Sequence, residues 1–290
     1  MAADRTPPAE IDIDAALVRA LLAEQHPDLA QRELNHVDSG WDNEMFRLGS
    51  DLAVRLPRRE TAASLVVNEQ RWLPGLAPRL PLAVPEPVRS GRPGSGYPWP
   101  WSVTRWVPGE VAGSAEPADP VAAAVALGGF LSALHVPAPA GAPVNPHRGV
   151  PLQQRDALVR EHLEALDLAV DLEAILACWS RLAATPPWTG PPLWLHGDLH
   201  PLNILTSAGR LIGVIDWGDI TAGDPASDLA VAWMLLPSEA RPVLRASAGE
   251  VDDDTWDRAR GWALALALAM YGTKMNDVAR HTLHAALADR

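Results

Sequence analysis

Cysteine is nearly missing from this 290-residue chain: Cys178 stands alone, which excludes an intrachain disulfide and fits a reducing cytoplasm. Lysine is just as scarce, because of 24 basic side chains all but Lys274 are arginine. Long apolar runs are absent too. The most apolar, Ala263 to Met270, falls far short of the ~20 residues a membrane span requires. Met1 to Asp14 is polar, acidic and proline-bearing, unlike a secretory leader. Positive charge is in deficit, for a net of -12, the wrong sign for a nucleic-acid partner whose phosphates call for a basic surface. That balance favours cationic small molecules. Apolar residues make up 48% of the chain, enough to support a substantial core in one large or two modest domains.

Two stretches organise what is present. In Leu193-Trp-Leu-His-Gly-Asp-Leu-His-Pro-Leu-Asn-Ile-Leu205, Gly197 and Pro201 break regular structure, so Asp198 and Asn203 lie on a loop between short apolar strands. In Leu211-Ile-Gly-Val-Ile-Asp-Trp-Gly218, a strand ends on Asp216. Two carboxylates and a carboxamide can then converge, one beside a substrate hydroxyl and two on a hard cation, as phosphoryl transfer requires. His196, Asp198 and His200 could instead be zinc ligands, but no further His-rich cluster accompanies them. Asp198 as a mere turn cap leaves Asn203 and Asp216 unexplained.

His196-x-Asp198-x-x-x-x-Asn203, followed by Ile215-Asp216-Trp217, resembles the catalytic and metal-binding loops of the aminoglycoside phosphotransferase family, small-molecule kinases with a protein-kinase-like fold. The resemblance implies a bilobal α+β architecture, with an antiparallel N-lobe sheet over 1–104, a hinge at 105–109 and a mostly helical C-lobe over 110–290. It assigns Asp198 to the acceptor hydroxyl, and Asn203 and Asp216 to Mg²⁺, with ATP or GTP as co-substrate.

The N-terminal half is read against that resemblance. Ile11 to Ala23 has helical spacing. Leu34 to Leu48 is a strand, a turn over Ser39 to Asn43, and a strand, with Gly40 letting backbone amides approach phosphate oxygens. In Leu52 to Leu56, Ala53 and Arg55 share one strand face. The family's third strand carries a lysine on the nucleotide phosphates, and Arg55 stands in its place; a surface charge is the competing reading. Arginine bias in the composition makes that exchange expected. Arg59 to Leu73 is a helix stopped by Pro74, and its Glu69 is placed to orient Arg55, with Glu60 as competitor nearer the helix start. Trp101 to Glu110 resembles the last sheet strand and hinge, where the backbone of Arg105 and Val107 would pair with the adenine edge.

Helical patterns follow: Val121 to His135, Leu152 to Ala184, a helix opened by Gly223-Asp-Pro, Trp256 to Met270 and Asp277 to Leu287. The 152–184 segment lines the acceptor site in the family, and here it offers Asp156, Glu161, Glu164, Asp167, Asp171 and Glu173. Asp224 and Asp228 resemble the family's braces of the catalytic loop, although Asp224 also suits a helix cap. The implied activity is γ-phosphoryl transfer to a hydroxyl of an aminoglycoside-type antibiotic, in the cytoplasm, with no nucleic-acid or membrane partner. Another hydroxylated acceptor (a macrolide, a peptide antibiotic or a primary metabolite) stays open, as twelve tryptophans suit a flatter apolar ligand. A non-catalytic nucleotide-binding module is the third reading.

Overall fold

Asp14 caps the first helix, α1 (Ala15–Gln25), by accepting from the Leu17 amide at 2.8 Å, so the helix starts later than its apolar spacing suggested. Three strands follow, β1 (Leu34–Ser39), β2 (Asn43–Leu48) and β3 (Leu52–Pro57), then α2 (Glu60–Leu76), β4 (Pro87–Gly91) and β5 (Trp101–Arg105). The strands form an antiparallel sheet in the order β1-β2-β3-β5-β4. Central β3 is buried along its whole length. Leu52, Val54 and Leu56 pack with Val18, Leu21 and Leu22 of α1, so Ala53 and Arg55 point to the other face, where α2 lies. The computed structural model describes residues 7–165 and 171–289, which leaves out Asp167.

The sequence reading stopped α2 at Pro74, whereas the helix runs on to Leu76. A proline in the last turn removes a single i→i−4 bond, and buried Leu73 and Leu76 hold that turn against the larger core. The chain after α2 is then stitched to a distant strand: the Ala83 amide donates to Ile212 O at 3.0 Å and Ala83 O accepts from the Val214 amide at 2.9 Å.

The C-terminal part holds β6 (Glu110–Val111), α3 (Pro120–Leu134), α4 (Asp156–Ala165), α5 (Leu172–Ala183), β7 (Leu193–Leu195), β8 (Ile204–Ser207), β9 (Arg210–Val214), β10 (Thr221–Gly223), α6 (Ala226–Leu229), α7 (Val231–Leu235), α8 (Arg241–Ser247), α9 (Asp253–Met270) and α10 (Asn276–Ala288). β8 and β9 are a hairpin whose turn residues Ala208 and Gly209 both have positive φ, as the tightest hairpin turns demand. β6 flanks the hairpin, and β10 pairs with β7. Trp179, Trp217, Trp233 and Trp262 are fully buried around these elements. The fold is mixed α and β, with an antiparallel N-terminal sheet and a helical C-terminal part. Among the described residues, no helix is long and apolar enough to cross a membrane.

Candidate active site

Everything at the site hangs on two loops, 196–203 between β7 and β8, and 215–220 between β9 and β10. Gly197 turns the first at φ +86°, and a Cβ there would sit 2.2 Å from Asp219 O, so only glycine lets the loops touch. Fully buried Asp228 braces the same turn, accepting from the His196 amide at 2.7 Å and the Gly197 amide at 3.0 Å, with His135 Nε2 3.3 Å away. His196 binds main chain with both ring nitrogens: Nδ1 accepts from the Asp198 amide (3.2 Å), so Nε2 carries the hydrogen given to Ile215 O (3.0 Å). It is a splint between the loops, not a metal ligand.

Asp198 is flanked by Arg148, which the sequence reading missed, and by His200, which it weighed only as a zinc ligand. Arg148 Nη2 donates to Oδ1 at 3.0 Å, and His200 Nε2 lies 3.3 Å from Oδ2. His200 Nδ1 accepts from the Leu202 amide (3.2 Å), so Nε2 is the donor toward Asp198 and the Asn203 nitrogen near it makes a contact only. Burial alone would raise the Asp198 carboxyl, but His200 and Arg148 overcome it and hold the group well below the usual carboxylate range. Asn203 donates its side-chain nitrogen to Asp198 O at 2.9 Å, which leaves its amide oxygen as the atom for a cation. The Asn203 carbonyl accepts from the Ile215 amide at 2.8 Å, so the two loops are in register one residue before Asp216.

Asp216 adopts the left-handed conformation (φ +62°), which costs a non-glycine residue roughly 1 kcal/mol. Buried Trp217, with Nε1 on Val214 O at 3.0 Å, anchors that turn. Arg55 reaches it from the sheet: Nη2 meets Asp216 Oδ1 at 2.5 Å while Nη1 meets Glu69 Oε2 at 2.5 Å. Asn43, with its amide oxygen toward the guanidinium, accepts from Nε at 3.1 Å and Nη2 at 3.0 Å. Arg55 is 7% exposed and Glu69 1%, whereas Asp216 is 54% exposed and opens to the cleft. Burial opposes the charge on Arg55, but Glu69 and Asp216 push it above its ordinary value. Burial raises the Glu69 carboxyl, and Arg55 works against that shift.

Ser39 and Gly40 are not presented as free phosphate donors. The Gly40 amide closes its own turn on Asn43 O at 2.9 Å, and the Ser39 hydroxyl donates to Glu44 at 2.6 Å. At the expected hinge the Arg105 amide is engaged by Glu86 O (2.9 Å) and the Trp106 amide by Asp51 O (2.8 Å), so of the Arg105 backbone only the carbonyl could face a base. Val107 is buried against Gly213.

Asp224 does not touch the loop. It binds Arg258 Nε at 2.7 Å and caps the Ala226 amide at 3.0 Å, so of the two expected braces Asp228 alone takes that position. In the acidic segment, Asp156 accepts from Arg160 (2.8 Å) and Trp179 (2.8 Å), and Asp171 caps α5 through the Ala174 amide (3.1 Å). Glu161, Glu164 and Glu173 are exposed. None of these contacts involves Asp198. Half-buried Asp219, also missed, accepts from the Asn145 side chain at 2.7 Å; partial burial raises its carboxyl first, then the charges of Asp198 and Asp216.

The donor set suits a hard cation. Asp216 supplies a carboxylate and Asn203 a carboxamide oxygen, and Mg²⁺ is held by one or two such groups with water and phosphate oxygens completing its shell. Among the described residues, no three His, Cys, Asp or Glu side chains form a metal cage.

This combination of sheet, braced loop and strand-end carboxylate defines a kinase-like phosphotransferase fold. Residues 33–262 match the model of the phosphotransferase enzyme family, and the chain belongs to that family. Viomycin phosphotransferase of Streptomyces vinaceus is 34% identical over 90 residues, covering 29% of this chain and 31% of the relative. An aminoglycoside 3'-phosphotransferase of Escherichia coli is 29% identical over 123 residues, 41% of this chain and 45% of its own. The chain therefore spans less than half the length of these curated relatives. Solved structures align over nearly all of both chains. The GDP complex of aminoglycoside 2'-phosphotransferase-IIIa has a TM-score of 0.68 at 22% identity, covering 94% of this chain and 97% of that one. The apo macrolide 2'-phosphotransferase of Brachybacterium faecium has a TM-score of 0.63 at 26% identity, covering 95% and 97%.

Proposed function

We propose that the protein transfers the γ-phosphoryl group of ATP or GTP to a hydroxyl of a small molecule, with an aminoglycoside-type antibiotic as the first acceptor to test. One observation carries this reading: the register bond from the Ile215 amide to Asn203 O sets the Asp198 loop beside Asp216, which is itself tied to Arg55 and Glu69. The acceptor hydroxyl would lie on the Asp198 carboxylate. A carboxyl held that low is a weak base, so it orients the hydroxyl and receives its proton only as the O–P bond forms. Asn203 and Asp216 would hold Mg²⁺, which neutralises phosphate charge when bound. Arg55, fixed by Glu69, would clamp the non-transferred phosphates. The base would meet the Arg105 carbonyl and the Val107 backbone, between an N-lobe ending at 104 and a C-lobe from 110.

A macrolide-type acceptor is the second reading. It is supported by the guanidinium of Arg148 beside Asp198, which repels a polycation, and by the local pairing of Asp156 and Asp171. Nucleotide consumption with ATP and with GTP, measured against aminoglycosides, macrolides, peptide antibiotics and sugar alcohols, tests both readings. A phosphorylated product identifies the acceptor. No turnover on any hydroxyl compound, together with tight nucleotide binding, would favour a non-catalytic module.

A further inference from the structure

Arg148 sits on a loop that nothing in the catalytic pattern requires, yet the loop is fastened to the 215–220 loop and to the strands β7 and β10 beside it. The Asn145 amide donates to Thr221 Oγ1 at 2.8 Å, its side chain donates to Asp219 at 2.7 Å, and its Oδ1 accepts from the His147 amide at 2.8 Å. Gly149 follows at φ +64°, with its carbonyl on the Asp224 amide at 2.9 Å; a Cβ there would press on Leu195 at 2.6 Å. The segment is a rigid mount for the side chain between these anchors.

That side chain is under-used. Nη2 holds Asp198 Oδ1 at 3.0 Å, Nη1 reaches only His147 O at 3.5 Å, and Nε is buried with no hydrogen-bond partner among the described residues. A buried donor without a partner is a reason to look for an absent acceptor. The acceptor it suits is an anion, because guanidinium presents a planar fork that matches phosphate oxygens. Charge at the site points the same way. The Asp198 and Asp216 carboxylates both lie close enough to Asp219 to raise its carboxyl, and Arg55 is engaged by two carboxylates. A transferring phosphoryl group brings further negative charge to the Asp198 side.

We propose that Arg148 is a catalytic residue of the phosphoryl transfer: its guanidinium exchanges Asp198 Oδ1 for an equatorial oxygen of the transferring γ-phosphoryl group as the acceptor hydroxyl takes its place on the carboxylate. The inference rests on the kinase reading above. In the step, the acceptor oxygen forms its bond to Pγ while the bond from Pγ to the bridging oxygen breaks. The electron pair of that bond leaves with the nucleoside diphosphate, and the hydroxyl proton passes to Asp198. The charge spread over the three equatorial oxygens is what Arg148 faces. A cation in this role contributes most in the transition state and little to ground-state binding.

The test compares wild type with Arg148→Met and Arg148→Lys. Calorimetry measures affinity for MgADP (or MgGDP) alone and with aluminium fluoride, a mimic of the transferring group; steady-state kinetics on the acceptor found by the panel give kcat and KM. Arg148→Met should leave diphosphate affinity unchanged, weaken the fluoride complex and lower kcat by about 10²–10³-fold with KM nearly constant. Arg148→Lys should recover part of both. If Arg148→Met does not fold, as judged by its melting curve, Arg148→Gln repeats the comparison. A fluoride complex as tight in the neutral variants as in wild type would overturn the proposal, as would a loss matched by equal loss of diphosphate binding. Wild type that bound no magnesium–nucleotide would overturn the kinase reading itself, and this inference with it.

Discussion

Arg55 Nη2 and Asp216 Oδ1 are 2.5 Å apart, so the proposed triphosphate clamp and the proposed Mg²⁺ ligand are bonded to each other across 161 residues of sequence. Substrate binding has to exchange this ion pair for metal and phosphate contacts. Asp216→Ala should therefore act with opposite signs. Affinity for the magnesium–nucleotide complex should be lost, because a hard cation needs anionic oxygen. Affinity for metal-free nucleotide should rise by about tenfold, since a charge-assisted bond worth roughly 1.5–3 kcal/mol no longer competes for Arg55. Calorimetry with and without EDTA reads both; undiminished magnesium-dependent affinity would remove Asp216 from the metal site.

Arg55 and Glu69 should behave as one unit. Arg55→Ala leaves a buried carboxylate without its partner and should cost stability on the order of 3–5 kcal/mol; it should also raise the nucleotide KM and lower kcat together. Arg55→Lys should keep much of the activity, and Glu69→Gln should resemble Arg55→Ala more mildly. A double-mutant cycle on kcat/KM should give a coupling of about 1–3 kcal/mol. Additivity would mean that the 2.5 Å contact carries no function.

Asp198→Asn keeps the shape of the side chain and removes its charge. The expected loss is roughly 10²–10⁴-fold in kcat with nucleotide affinity nearly intact. Single-turnover measurement on the true acceptor decides it, and a wild-type rate would sink the assignment.

Asp228→Ala removes the acceptor of two buried amides, those of His196 and Gly197, at a cost of about 1–3 kcal/mol for each. Thermal melting should show the loss. Because the brace sets the turn that carries Asp198, kcat should fall further than stability alone explains; a destabilised variant with full kcat at low temperature would contradict the bracing role.

A pH-linked effect is expected at α9. Asp252 accepts from the Thr255 amide at 2.6 Å, and the Thr255 side chain first, with this amide behind it, holds its carboxyl below the ordinary value. A depressed folded-state pKa gives stability that is present above the unfolded value, near pH ~3.9, and lost as pH falls through the lower, folded one. Asp252→Ala should thus cost about 1 kcal/mol at neutral pH, and the difference should shrink as the solution is acidified below pH ~4. A pH-independent difference would show that the carboxylate charge is irrelevant to the cap.

The parts of this site that sequence made legible share one property: their contacts are local or tied to strand ends. Asp198, Asn203 and Asp216 sit at fixed offsets from apolar runs, and strand alternation put Arg55 opposite the α1 face. What sequence hid depends on long-range packing. Arg148 reads as a surface arginine until Asn145 and Gly149 are seen to fix its loop. Asp219 carries no local signal beyond lying in the loop after Asp216. Pro74 was read by the local rule, and tertiary burial of Leu76 overrode it. Asp224 and Asp228 look alike as sequence, and only the position of Arg258 on α9 separates them.

An arginine in the lysine's place also changes how this protein can be found. Reagents that label kinases by acylating a phosphate-facing amine need a nucleophile, and the guanidinium of Arg55 is buried and held above its ordinary pKa. The chain's one amine side chain, Lys274, lies exposed in the turn between α9 and α10. A nucleotide-directed acylating probe should therefore pass over the cleft, and a proteome surveyed with it would record this kinase-like protein as silent.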